Sequence, residues 1–246
     1  MISPSLRSDL APTGKLRVGI NYGNPVLATR DPTSGDLRGV AVDLARELGT
    51  RLGVAVELVG YEAAGKMAAA VRSGAWDVAF LAIDPERAAE ISFSAPYILI
   101  EGTYLLPAGS SLQTMADVDR TGVRIAVSAK SAYDLFLSRS LQHAELVRAP
   151  NPDAAFELLV AGKVEAVAGV RQPLVTNAEK LPGSRVLDER FMAIQQALGI
   201  PKGRDTGAKY LREFIEDVKA SGLVAQAIAK AGVRGVSVAP RAPVEP

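Results

Sequence analysis

Short apolar runs alternate with amphipathic stretches twice along this chain, and that alternation restricts the fold more than any single motif. Residues 16–20 form an apolar run bounded by turn formers. From Val40 the period changes: Ala41, Leu44, Leu48 and Leu52 recur at helical spacing and Gly53 stops the helix. A strand over 54–59, a helix over 63–73 ended by Gly74 and a strand over 77–83 complete the first series. The second series reads strand 123–127, helix 132–140, short strand 145–147, helix 152–161, strand 165–170, a turn over 170–173 and a helix over 174–180. Extended runs at 91–93, 98–107, 186–187 and 193–200 surround it, and helices over 206–220 and 223–231 follow. Strands separated by helices predict parallel βαβ units, hence an α/β fold in two lobes, each about the size of a small α/β domain. Residues 1–14 read as a loose arm, and the tail from Val233 as a minor contributor to the core.

Composition removes several function classes. Lys and Arg total 28 against 27 Asp and Glu, so no basic field points to nucleic acid or an anionic membrane. The absence of cysteine excludes disulfides, thiolate metal sites and a Cys nucleophile. With one histidine, His143, no multi-His metal site and no Ser–His nucleophile pair is available, and neither a metal nor an organic cofactor is expected. No apolar run reaches the length of a membrane span; the longest, 98–106, is interrupted by Glu101 and Gly102.

The densest chemistry lies in WDVAFLAIDPERAAEISFSAPY, residues 76–97. Its apolar strand ends at Asp84-Pro85, and Arg87 follows on a short turn. In an open α/β sheet the carboxyl ends of strands are where polar groups meet a ligand. A guanidinium there offers a planar fork that matches a carboxylate. Asp84 reads equally as a cap of the Arg87 turn and as a ligand acceptor.

These segments, in order, resemble family 3 of the extracellular solute-binding proteins, the polar amino acid type from ABC importers, with the type II periplasmic-binding-protein fold. The resemblance runs over about residues 15–231. It is carried by LRVGINYGNPV, GVAVDLARELGTRLGVAVELV, SGAWDVAFLAIDPERAAEISFSAPY, VRIAVSAKSAYDLFL and LLVAGKVEAVAGV. It implies lobe 1 over 1–104 and 200–246, lobe 2 over 105–199, and hinge strands containing Glu101, Thr103, Gln195 and Ala197. The ligand cleft would lie between the lobes.

The resemblance also implies site residues. Arg87 falls where family members hold the ligand carboxylate. Lys130 and Ser131 fall on the Gly-Thr that supplies a hydroxyl and amides at a helix start, so the hydroxyl is kept and the glycine is not. The two positions that usually accept the ligand ammonium fall on Ala82 and Val170, neither of which has a side-chain acceptor. Arg171, beside Val170, has the wrong sign for an ammonium and would instead meet a second anionic group. Asn21, Tyr22, Asn24, Tyr61 and Gln172 are candidates for lining the cleft. The expected ligand is therefore a small carboxylate that lacks, or does not use, an α-ammonium.

The implied function is capture of that solute by closure of two lobes and delivery to ABC permease subunits, without catalysis, nucleic acid or membrane insertion. Periplasmic placement follows from the resemblance; the first residues lack a signal-peptide core, which keeps a cytoplasmic sensor open as an alternative. The other alternative is a dehydratase on the same fold, with Glu101 or Asp84 as the proton carrier.

Overall fold

The computed structural model describes residues 2–243. The chain opens with α1 (Pro4–Leu10), β1 (Lys15–Asn21), the hairpin strands β2 (Thr29–Arg30) and β3 (Leu37–Arg38), and α2 (Val40–Leu52). Then come β4 (Ala55–Tyr61), α3 (Ala64–Ala69) with a 3-10 turn over Ala70–Ser73, and β5 (Val78–Ala82). A 3-10 turn over Arg87–Ala89, β6 (Ile91–Phe93) and β7 (Ile98–Leu106) follow. The middle of the chain holds α4 (Met115–Val118), β8 (Arg124–Ser128), α5 (Ala132–Ser140), β9 (Glu145–Ala149), α6 (Pro152–Val160), β10 (Ala166–Val170), α7 (Arg171–Lys180) and β11 (Arg185–Val186). It ends with β12 (Met192–Pro201), α8 (Asp205–Ala220), α9 (Leu223–Ala231) and β13 (Ser237–Val238).

Two units emerge. One comprises Met1–Glu62, Lys66–Leu99 and Gln195–Pro246; the other comprises Ala63–Gly65 and Ile100–Ile194. In the first, β1 lies parallel to both β4 and β5, and β12 runs antiparallel to β5 and β6. Every residue of β5 is buried, as its unbroken apolar run requires of a strand covered on both faces. In the second unit β10 lies between parallel β8 and antiparallel β7, with β9 parallel to β8 outside. The α/β alternation is thus present in both units.

Three local expectations fail, each for a physical reason. Of the expected loose arm over 1–14, residue 1 lies outside the described residues, and residues 2–14 are not loose. Ser3 caps α1 by accepting the Leu6 N–H at 3.2 Å, Pro4 occupies the first turn, and Leu6 and Leu10, four apart, are buried. Asp9 then accepts the Gly207 N–H at 2.8 Å and fixes α1 against the start of α8. Two apolar positions in seven residues gave too short a period to read. The tail is not inert either: β13 pairs with Ile98 and Leu99, and Ala239 is buried. Lys219 fastens it, its Nζ donating to Pro96 O at 3.2 Å and Pro240 O at 2.9 Å. Finally, residues 171–173 are not a turn: α7 begins at Arg171, and Pro173 sits in its first turn, where the missing N–H costs nothing.

Candidate functional site

In the first unit the predicted residues gather at one end of the parallel strands. Asn21 closes β1 opposite Tyr61, which closes β4, and Ala82 closes β5. Asn21 Oδ1 accepts the Gly23 N–H at 3.0 Å and Asn24 Oδ1 the Val26 N–H at 3.2 Å, so both buried amides shape the loop after β1. Gly23 is obligatory there, because a Cβ would overlap the Glu62 carbonyl. The Tyr22 N–H donates to Tyr61 O at 2.9 Å, which sets the two tyrosines on adjacent chain segments. Arg30 lies over the Tyr22 ring at 5.4 Å. Burial pushes the Tyr61 hydroxyl above its ordinary value.

Beyond Ala82 the chain turns on Asp84, which is buried and accepts the Glu86 N–H through Oδ1 at 2.8 Å and the Ala88 N–H through its backbone carbonyl at 2.9 Å. The Oδ1 bond is an Asx turn on Asp84 itself; the cap position of the following 3-10 turn is Glu86, which has no side-chain cap bond. The turn swings Arg87 back under the strand end, where it is only 6 % exposed and its Nη1 donates to Ala82 O at 2.9 Å. Burial lowers the Arg87 pKa to about 10, against the opposing pull of Asp84 and Glu86.

In the second unit Lys130, Ser131, Val170, Arg171 and Gln172 stand at the carboxyl ends of parallel β8 and β10. Lys130 has φ 57°, the left-handed conformation that a glycine adopts without strain. The backbone shape thus persists where the glycine does not. Ser131 caps α5 by accepting the Asp134 N–H at 3.1 Å, and the Asp134 carboxylate accepts the Lys130 N–H at 2.7 Å. The Ser-x-x-Asp spacing carries this cap in the sequence and marks Asp134 as its second member. Asp134 is buried and also receives Arg148 Nε at 3.1 Å. Replacing Lys130 by Gly is expected to relieve the left-handed strain and raise the melting temperature by roughly 1–3 °C. Scanning calorimetry reads this, and a fall would show that the Lys130 side chain holds the turn.

Val170 is buried and its side chain offers no acceptor; it pairs with Gly102 in β7. Gln172 is half-buried in the first turn of α7. The Arg171 guanidinium donates to Glu101 Oε2 at 2.6 Å, Leu187 O at 2.9 Å, Asp188 O at 2.8 Å and Glu189 O at 3.1 Å. Arg190 reaches the other Glu101 oxygen at 3.1 Å. A lone carboxylate inside the apolar run of β7 was the sequence signal that a cation must face it. Of the predicted crossover residues, Glu101 and Thr103 lie in β7 within the second unit, and Gln195 and Ala197 lie in β12 within the first. Among the described residues no acidic or His cluster of metal-binding size is present.

Residues 16–232 match the profile of the bacterial extracellular solute-binding proteins, family 3. The glutamine-binding protein of Geobacillus stearothermophilus is 25 % identical over 197 residues, 78 % of this chain and 74 % of the relative. The ABC transporter glutamine-binding protein GlnH of Bacillus subtilis is 20 % identical over 218 residues, 85 % of this chain and 77 % of the relative. Among solved structures, the solute receptor for L-cysteine of Neisseria gonorrhoeae superposes with a TM-score of 0.80 at 23 % identity and 93 % coverage of both chains. The fold is that of the type II periplasmic binding proteins. The chain belongs to family 3 of the bacterial extracellular solute-binding proteins.

Proposed function

We propose that this protein captures a small carboxylate-bearing solute of amino-acid type outside the cytoplasm and presents it to an ABC permease, with Arg87 as the carboxylate anchor. The supporting observation is the buried guanidinium at the end of β5, held charged against its surroundings. A carboxylate docked on its fork would be met by two parallel hydrogen bonds. Ser131 and the start of α5 are proposed as a second, weaker anion-favouring element. Closure of the two units would bend the crossover strands near Glu101, Thr103, Gln195 and Ala197.

Relatives are named for glutamine and for L-cysteine, so their names do not converge on one solute. Ala82 and Val170 bring no side-chain acceptor for an ammonium, which favours a carboxylate that lacks or does not use one. Asn21, Asn24, Tyr22, Tyr61 and Gln172 are proposed to line the solute. Arg171 is left out of the contact set because its donors already serve four protein acceptors. Glu101, with each oxygen on a guanidinium, is an ion-pair partner and a poor proton carrier. A thermal-shift panel of L-amino acids, their 2-oxo counterparts and plain mono- and dicarboxylates tests the solute class. Carboxylates without an α-ammonium are expected to raise the melting temperature at least as far as the matching amino acids. Strong shifts with L-amino acids alone would refute that preference.

A further inference from the structure

Arg171 occupies the first residue of α7, where the helix dipole favours negative charge, and no acidic residue follows in the first turn. The cation is compensated from outside its helix. Three consecutive carbonyls, Leu187, Asp188 and Glu189, converge on its Nη atoms, while Nε faces Glu101. Only a planar fork serves that many acceptors in fixed directions; an ammonium is a point charge. The same segment is laced to β7 by other bonds. The Thr103 hydroxyl, fully buried, lies 3.0 Å from Leu187 O and 2.7 Å from Glu189 O. The Leu187 and Phe191 N–H groups donate to Tyr104 O and Gly102 O, both at 3.0 Å. Phe191 closes over Gly102, where a Cβ would come within 2.7 Å of its ring. Glu101 is the second residue after the chain enters this unit at Ile100, and residues 187–191 end three residues before it leaves at Ile194.

We infer that Arg171 is a positioning residue for both crossovers: it fastens Glu101 and the 187–189 carbonyls to the start of α7 and so sets how freely the crossover segments move, without touching solute. The consequence for binding rests on the hinge role proposed above, whereas the fastening is testable on the solute-free protein.

The test is hydrogen exchange on the full solute-free chain, wild type against Arg171→Gln, Arg171→Lys and Glu101→Gln. In Arg171→Gln the Leu187 and Phe191 amides are expected to exchange at least about tenfold faster, as loss of charge-assisted bonds implies, with β8 amides unchanged. Arg171→Lys is expected not to rescue them, and Glu101→Gln, which keeps the three carbonyls engaged, to fall between. A second readout separates positioning from bulk stability. The chain has no cysteine, so exposed Ser73 and Val160 can be replaced by Cys and labelled for single-molecule energy transfer. The inter-label distance distribution should widen in Arg171→Gln and Arg171→Lys. Wild-type exchange and distribution in Arg171→Gln, or full rescue of both by Arg171→Lys, would overturn the inference. Should Arg171→Gln fail to fold, wild-type exchange in both other variants would overturn it equally. No solute is added, so failure of the carboxylate proposal leaves the result unaffected.

Discussion

Replacing Arg87 by Met should abolish solute capture while leaving the solute-free protein as heat-stable as the wild type, or more so. The two effects have opposite signs for one reason. Burial lowers the guanidinium pKa to about 10, so keeping it charged works against the stability of the solute-free protein. For a base with a lowered pKa this cost is fully present below about pH 10 and fades only as pH rises above that value. Met removes the charge and fills most of the same volume. It also loses the bond from Nη1 to Ala82 O, which offsets part of the gain. With solute present the balance reverses. Loss of a bidentate, charge-assisted contact should weaken binding about a hundredfold or more, on the order of 3 kcal/mol. Melting curves with and without solute separate the terms: the variant should lose the solute-induced rise and keep its basal midpoint. A basal fall of many degrees would instead make Arg87 a structural residue.

The largest loss of stability is expected at Asp77, far from any solute contact in the sequence reading. Asp77 is completely buried immediately before β5. It accepts the Arg17 N–H and Nε, both at 3.0 Å, and Nη2 at 2.7 Å, with Arg204 Nη1 at 3.4 Å. These bonds raise the Arg17 pKa above its already high ordinary value. Arg204 also donates to Asp9 O at 2.9 Å, so one carboxylate ties β1, β5, α1 and the start of α8 together. Asp77→Ala strips the partner from two guanidinium groups and a backbone donor. Removing one member of such a buried network costs about 3–5 kcal/mol, and in a chain this long that lowers the melting temperature by roughly 6–15 °C. Denaturant unfolding reads the same loss, and a change under 1 kcal/mol would show that the network is dispensable.

The regular elements were legible because burial writes them into the sequence. The helical period of α2 with Gly53 as its stop, and the apolar runs of β5 and β10, are each dictated by one local rule. What was not legible depended on partners distant in sequence. Leu6 and Leu10 define α1 only because Arg204 and Gly207, almost two hundred residues away, receive it through Asp9. Arg171 read as a cation for a second anionic group because its Glu101 partner lies 70 residues earlier and its carbonyl partners have no signature. Arg87 was visible through the strand end and turn that present it. Its burial was not.

Carboxylate capture by Arg87 is the central claim, and titration calorimetry of wild-type protein with L-amino acids, their carboxamides and their des-amino acids tests it most directly. Every acid that binds should have a carboxamide that binds at least about a hundredfold more weakly, and no acid should bind the Arg87→Met variant with wild-type affinity. A carboxamide that binds as tightly as its parent acid, or an acid that binds the variant undiminished, would contradict the account.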